Sequence, residues 1–189
     1  MPTAFLRPAL LLFLCTLPCW ILIRLFFRSG KQHGFPRQQE MKYFLLYAYT
    51  VFLAAVTVFP MPFARYNNLR TRGVNLVPIK NTWLEVKAML RVDNQTVTLH
   101  ALQNIVGNII LFIPMGLLLP LVFSNIQRFR RVVLTGMTVS VIIESTQWVS
   151  RLCGIYRFVD IDDVLLNTLG TAIGCRIAQH RIRRTAPLP

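Results

Sequence analysis

The chain has 189 residues, 54% of them apolar and only 15% charged, against roughly 25% charged in ordinary soluble domains, and so small a charged fraction excludes a water-soluble globule. Thirteen Phe, five Tyr and three Trp exclude a disordered chain, which is polar and poor in aromatics. With 21 basic against 7 acidic side chains, a net charge of +14 on so apolar a chain points to a membrane protein with basic loops, not to a nucleic-acid binder.

A bilayer-spanning helix needs about 20 mostly apolar residues, and the pattern predicts an all-α polytopic bundle of about five transmembrane helices. The first covers residues 8–23 and is followed by Arg24, whose long stem can snorkel to the interface. No A-x-A-like site follows it, so cleavage as a signal peptide is not expected. The second, residues 43–64, carries no charge. The long basic loop 65–104 comes next. In it Ile79, Trp83, Val86 and Leu90 recur at helical spacing after Pro78, flanked by Lys80, Lys87 and Arg91. Such a segment suits either a helix lying in the interface plane or a short helix capping the bundle. The third and fourth spans are residues 105–123 and 132–150; the fifth, 164–175, is short and must reach outward to about Asp160 to cross the bilayer.

Four regions follow: two N-terminal spans with a basic connection over 1–64, the basic loop with its interfacial helix over 65–104, a three-helix core over 105–178 and a basic tail over 179–189. Five spans divide the Lys and Arg residues twelve to nine between the two sides. The richer side is expected to be cytoplasmic, with the N-terminus outside and the C-terminus inside. Cys15, Cys19, Cys153 and Cys175 show no C-x-x-C spacing and read as small apolar packing residues.

The informative residues are polar side chains where lipid is expected. Asn104 and Asn108 share one face of the third span. Ser140, Glu144, Gln147 and Arg151 share one face of the fourth, and Asp160, Asp163, Asn167 and Gly170 one face of the fifth, a stripe that Gly174 continues. Successive spans alternate in direction, so all three sets fall at the same end of the bundle. A charged side chain at the centre of a span costs about 2.5–3.5 kcal/mol on insertion scales, so Glu144 is expected to face the interior. The amides alone would suit simple helix–helix hydrogen bonding; one Glu, three Asp and an Arg beside them favour a functional site. Gly107, Gly116, Gly170 and Gly174 are expected to let helices approach closely. Pro114 and Pro120 are expected to loosen the third span. His100 reads as interfacial, and His33 and His180 as solvated residues of basic loops.

Four pieces in order, Asn75-Leu-Val-Pro78-Ile, Asn108-Ile-Ile-Leu-Phe-Ile-Pro114-Met-Gly116, Glu144-Ser-Thr-Gln147 and Arg157-Phe-Val-Asp160-Ile-Asp-Asp163-Val-Leu-Leu-Asn167-Thr-Leu-Gly170, resemble the VanZ-like family of bacterial membrane proteins over about residues 75–178. The resemblance implies a cell-envelope role. The founding member is associated with low-level resistance to the lipoglycopeptide teicoplanin, and some members carry an acyltransferase-like label. Its motif residues here are Asn108, Pro114, Gly116, Glu144, Gln147, Arg157, Asp160, Asp163, Asn167 and Gly170.

Two functions are expected to compete. One is a non-catalytic protein that binds or excludes a glycopeptide, or alters the envelope, through a pocket of Asn108, Glu144, Gln147, Arg157, Asp160, Asp163 and Asn167. The other is a membrane enzyme on a lipid-linked envelope substrate. Glu144 would be its acid or base, Asp160 and Asp163 would orient substrate or a divalent cation, and Arg157 would face a phosphate or carboxylate. An ion pathway is weaker, because the inner halves of these helices carry almost no ionisable relay. No resident cofactor or metal and no nucleic-acid partner are expected; membrane lipids and a lipoglycopeptide or lipid-linked precursor are.

Overall fold

The structure, a computed structural model, describes residues 3–29, 36–58, 74–91, 94–152 and 159–185. They form six helices, α1 (Thr3–Ser29), α2 (Arg37–Thr57), α3 (Lys80–Arg91), α4 (Gln95–Val122), α5 (Phe129–Leu152) and α6 (Ile161–Thr185), and two short strands, β1 (Val74–Asn75) and β2 (Val159–Asp160). Three helices are long and apolar enough to cross a membrane, at Ala9–Phe27, Gln95–Val122 and Phe129–Ser150. This makes the chain a membrane protein, although three such helices among the described residues are fewer than the five spans expected. The apolar stretch of the second expected span continues beyond Thr57 into residues outside those described. The fifth coincides with α6, which opens on Asp162 and Asp163 and ends on Arg183 and Arg184, so its apolar middle is short.

The chain divides into two compact units, Met1–Ala64 and Arg65–Pro189. In the first, α1 and α2 run antiparallel. Trp20 stacks on Tyr47 at 5.1 Å, and the Tyr47 hydroxyl donates to the Phe13 carbonyl at 3.1 Å. Arg24 does not simply reach for the interface. Its guanidinium forks onto Glu40, Nη2 to Oε1 at 2.8 Å and Nε to Oε2 at 3.2 Å, a two-point geometry that suits Arg and carboxylate, and it lies over the Tyr43 ring at 4.1 Å.

The second unit is built on contact between α4 and α6. A Cβ added at Gly170 would run into the Ile109 carbonyl, one at Gly174 into that of Ile113, and one at Gly116 into Thr171 and Cys175. The partners rise together in number, so α4 and α6 run parallel with their backbones touching, as small residues permit in membrane bundles. Gly136 plays the same part on α5, against the Thr171 side chain. Gly107 does not: a Cβ there meets nothing within 4 Å. α5 runs antiparallel to α6, since Gly136 meets Thr171, Ser140 meets Asn167 and Glu144 meets Asp160. α4 stays helical through Pro114 and Pro120 and starts on Asn94, whose side chain accepts the Thr96 N–H at 2.9 Å.

β1 pairs in parallel with β2, Val74 beside Val159 and Asn75 beside Asp160. This pairing pins the segment before α3 to the start of α6. The N-cap position of α3 falls to Ile79, whose carbonyl accepts the Trp83 N–H at 2.9 Å but whose side chain has no capping atom. The cap comes instead from α6. The Asp162 carboxylate accepts the Ile79 N–H, the Thr82 N–H at 2.9 Å and the Thr82 hydroxyl at 3.0 Å, which places a negative charge on the positive end of the α3 dipole. Aiming the Ile79 N–H there costs strain, because Ile79 sits at φ 66°, a region that β-branched residues avoid. Ile79→Gly is expected to relieve the left-handed penalty of roughly 1–2 kcal/mol, offset in part by roughly 0.5–1 kcal/mol of glycine entropy. The variant in detergent should therefore melt at or slightly above the parent; a clear drop would show that the Ile79 side chain matters more than its backbone.

Candidate functional site

The parallel α4 and α6 and the antiparallel α5 bring the early residues of two helices to the late residues of the third. Asn108 Nδ2 on α4 donates to Asp163 Oδ1 on α6 at 2.7 Å. Glu144 Oε2 on α5 accepts the backbone N–H of Asp160 at 3.0 Å. One turn deeper, Asn167 Nδ2 on α6 donates to Ser140 Oγ on α5 at 2.8 Å, and Gln147 is buried. The polar faces of the three helices thus meet at one end. Arg157 lies outside the described residues, as does the side chain of Arg151.

Within this cluster the carboxylates divide in two. Asp160 and Asp162 are each only 2% exposed and serve as struts. Asp160 Oδ1 accepts from Asn75 Nδ2 at 2.7 Å and from the Asp162 N–H at 2.9 Å, capping α6; its Oδ2 accepts from Asn81 Nδ2 at 2.6 Å. Asp162 caps α3 as described. The Asn75 and Pro78 of the sequence motif therefore belong to a segment latched onto α6. Asp163 is half-buried. It heads a row that runs through Asn108 to Asn104, with Asn108 Nδ2 at 3.5 Å from Asn104 Oδ1. The row ends on Glu85 of α3, whose two oxygens accept from Asn104 Nδ2 at 2.9 and 3.2 Å.

Glu85, Asn81 and Thr82 were not among the residues that the sequence singled out for the site, and Asp162, counted there with its two Asp neighbours, was given no role of its own. A signal for the α3 residues existed: Asn81, Thr82 and Glu85 form a polar stripe opposite Ile79, Trp83 and Leu90, as their spacing by three and four requires. With Glu85 and Asp162, five of the seven acidic residues of the chain gather here. Among the described residues the only ion pair is Arg24 with Glu40, so Glu85, Asp160, Asp162 and Asp163 rest on amide, hydroxyl and backbone donors and no described cation pairs with them. Also among the described residues, no three His, Cys, Asp or Glu are grouped so as to hold a metal ion.

Glu85 has its carboxyl pushed above the ordinary range, first by burial and further by the charges of Asp160 and Asp162, while the hydrogen bond from Asn104 opposes the shift. A carboxyl raised in the folded protein binds its proton before the unfolded chain does. Stability should therefore increase as the pH falls through the folded pKa of Glu85, and level off below its unfolded value near 4.5. Glu85→Gln should flatten that part of the melting-temperature profile; an unaltered slope in the variant would remove Glu85 as its source.

Apolar spanning helices and a polar site shared by α3 to α6 define a polytopic α-helical membrane protein. The VanZ/LLP1 family profile matches residues 44–182, most of the chain, and the chain belongs to that family. The match begins about thirty residues before the resemblance read from the motifs, so it takes in the larger part of α2 as well. No curated protein and no solved structure matches the chain.

Proposed function

We propose that this VanZ-family protein binds the polar, cationic head of an amphiphile at the acidic end of α4–α6, without catalysing a reaction, and so contributes to glycopeptide resistance of the teicoplanin type. The amphiphile is a lipoglycopeptide or a lipid-linked envelope precursor. The site faces the extracytoplasmic side, with the N-terminus outside and the C-terminus in the cytoplasm, and it uses no resident cofactor. The observation that carries this reading is a concentration of five carboxylates in a chain of net charge +14, four of them resting on neutral donors among the described residues. Such a cluster favours a cationic group. The half-buried row Glu85, Asn104, Asn108 and Asp163 is the part that touches the ligand. Glu144, Gln147, Asn167 and Asp160 support it from behind, and Arg157 answers a carboxylate or phosphate of the same ligand.

The enzymatic alternative needs a Glu144 oxygen turned to substrate. The residue is buried and its Oε2 takes the Asp160 N–H, which supports a holding role over proton transfer. The binding reading is tested with purified protein in nanodiscs and fluorescently labelled teicoplanin. Asp163→Asn with Asn108→Ala should weaken binding about tenfold or more, the value of one hydrogen bond to a charged group. Parent protein that does not bind the drug, or a double variant that binds like the parent, contradicts it.

A further inference from the structure

We infer that α3 is a membrane-docking helix whose outward face inserts at the headgroup boundary of a bilayer bearing anionic phospholipid. α3 has 12 residues, about 18 Å of helix, too short to cross a hydrocarbon core of about 30 Å. It has no fully buried residue. Its inward face is polar and already satisfied: Asn81 bonds Asp160, Thr82 bonds Asp162 and Glu85 bonds Asn104. The apolar face points the other way, with Ile79 63%, Trp83 55% and Leu90 82% exposed. A helix in water would turn that face inward; a helix at a lipid boundary turns it outward.

Charge and position say what covers the face. Lys80, Lys87 and Arg91 follow one another along one edge of the apolar stripe at spacings near two turns and one turn, and Lys87 Nζ lies 4.9 Å from the centre of the Trp83 ring. The one carboxylate of α3, Glu85, is on the opposite face. A second copy of the chain meeting this face with its own would bring like charges together, whereas phosphate headgroups complement three cations. Each cation near an anionic surface strengthens association by about fivefold. The depth agrees. α4 has 28 residues, about 42 Å of helix, so its ends project beyond the hydrocarbon, and α3 is tied beside its early turns through Asn104.

The test uses the full chain with Trp20→Phe and Trp148→Phe, leaving Trp83 as the only tryptophan. The protein is reconstituted in phosphatidylcholine vesicles with and without phosphatidylglycerol, which lies in both leaflets, so the direction of insertion does not matter. Trp83 should be quenched by lipids brominated near the carbonyl end of the acyl chain and shielded from aqueous acrylamide. Phosphatidylglycerol should lower acrylamide quenching by about twofold, and Lys80→Gln, Lys87→Gln and Arg91→Gln together should abolish that response while bromine quenching persists. Acrylamide quenching equal to that of free tryptophan would place α3 in water, and shielding from both quenchers would mean that protein covers it. A missing response to phosphatidylglycerol, or one that survives the triple substitution, would equally overturn the inference.

Discussion

Asp160→Ala is expected to destabilise the unit formed by α3–α6 by about 3 kcal/mol or more. The substitution orphans three donors, the Asn75 and Asn81 amides and the Asp162 N–H, at about 1–3 kcal/mol each where they stay buried. Removing one charge from a crowd of like charges returns part of that loss, which is why the full sum is not reached. It also takes away the cap of α6 and one of the ties holding α3. Asp160→Asn keeps the shape and one acceptor but turns an NH₂ toward donors, so it should retain less than half of the stability that the alanine variant loses. Unfolding by SDS titration in mixed micelles reads both. A loss below about 1 kcal/mol for Asp160→Ala would mean that these bonds are replaced by water at little cost, and the strut role would fall.

Gly116→Val should be equally damaging for a different reason. The Cβ would meet the Thr171 carbonyl and the Cys175 amide, which are backbone atoms of a helix packed on both sides and cannot swing away. Overpacking costs typically 1–3 kcal/mol where side chains can adjust; here the helices themselves must separate, and the expected result is little protein retained in the membrane. Gly107→Ala is the control. With open space around its position, it should be neutral or gain up to about 1 kcal/mol of helix propensity. Equal abundance of the two variants would show that α4 and α6 are not in backbone contact at Gly116.

What the sequence made legible follows from what periodicity measures. Spacings of three and four report which residues share a face of one helix, and alternation of direction then stacks Asn108, Glu144 and Asp163 at one end, as the hydrogen bonds bear out. The same logic exposed the amphipathic α3 and the close packing at Gly116, Gly170 and Gly174. It does not report which distant element meets a face. Asp162 caps a helix that starts some eighty residues earlier, and the pairing of Asn75 with Asp160 spans 85 positions. Neither leaves a local trace. Gly107 misled for the same reason: a glycine in an apolar helix permits close approach but does not show that a neighbour has made it. Arg24 was visible, yet its partner Glu40 lies in another helix, 16 positions on.

The division of labour between struts and row is open to one direct measurement, a substitution scan read simultaneously as folded protein in the membrane and as retained binding of labelled teicoplanin. Glu85→Gln, Asn104→Ala, Asn108→Ala and Asp163→Asn should keep abundance near that of the parent and lose binding, while Asp160→Ala and Asp162→Ala should lose abundance first. If the row variants bind the drug like the parent, or if abundance and binding fall together at every position, the half-buried row is not a ligand site and the acidic cluster only holds the helices together.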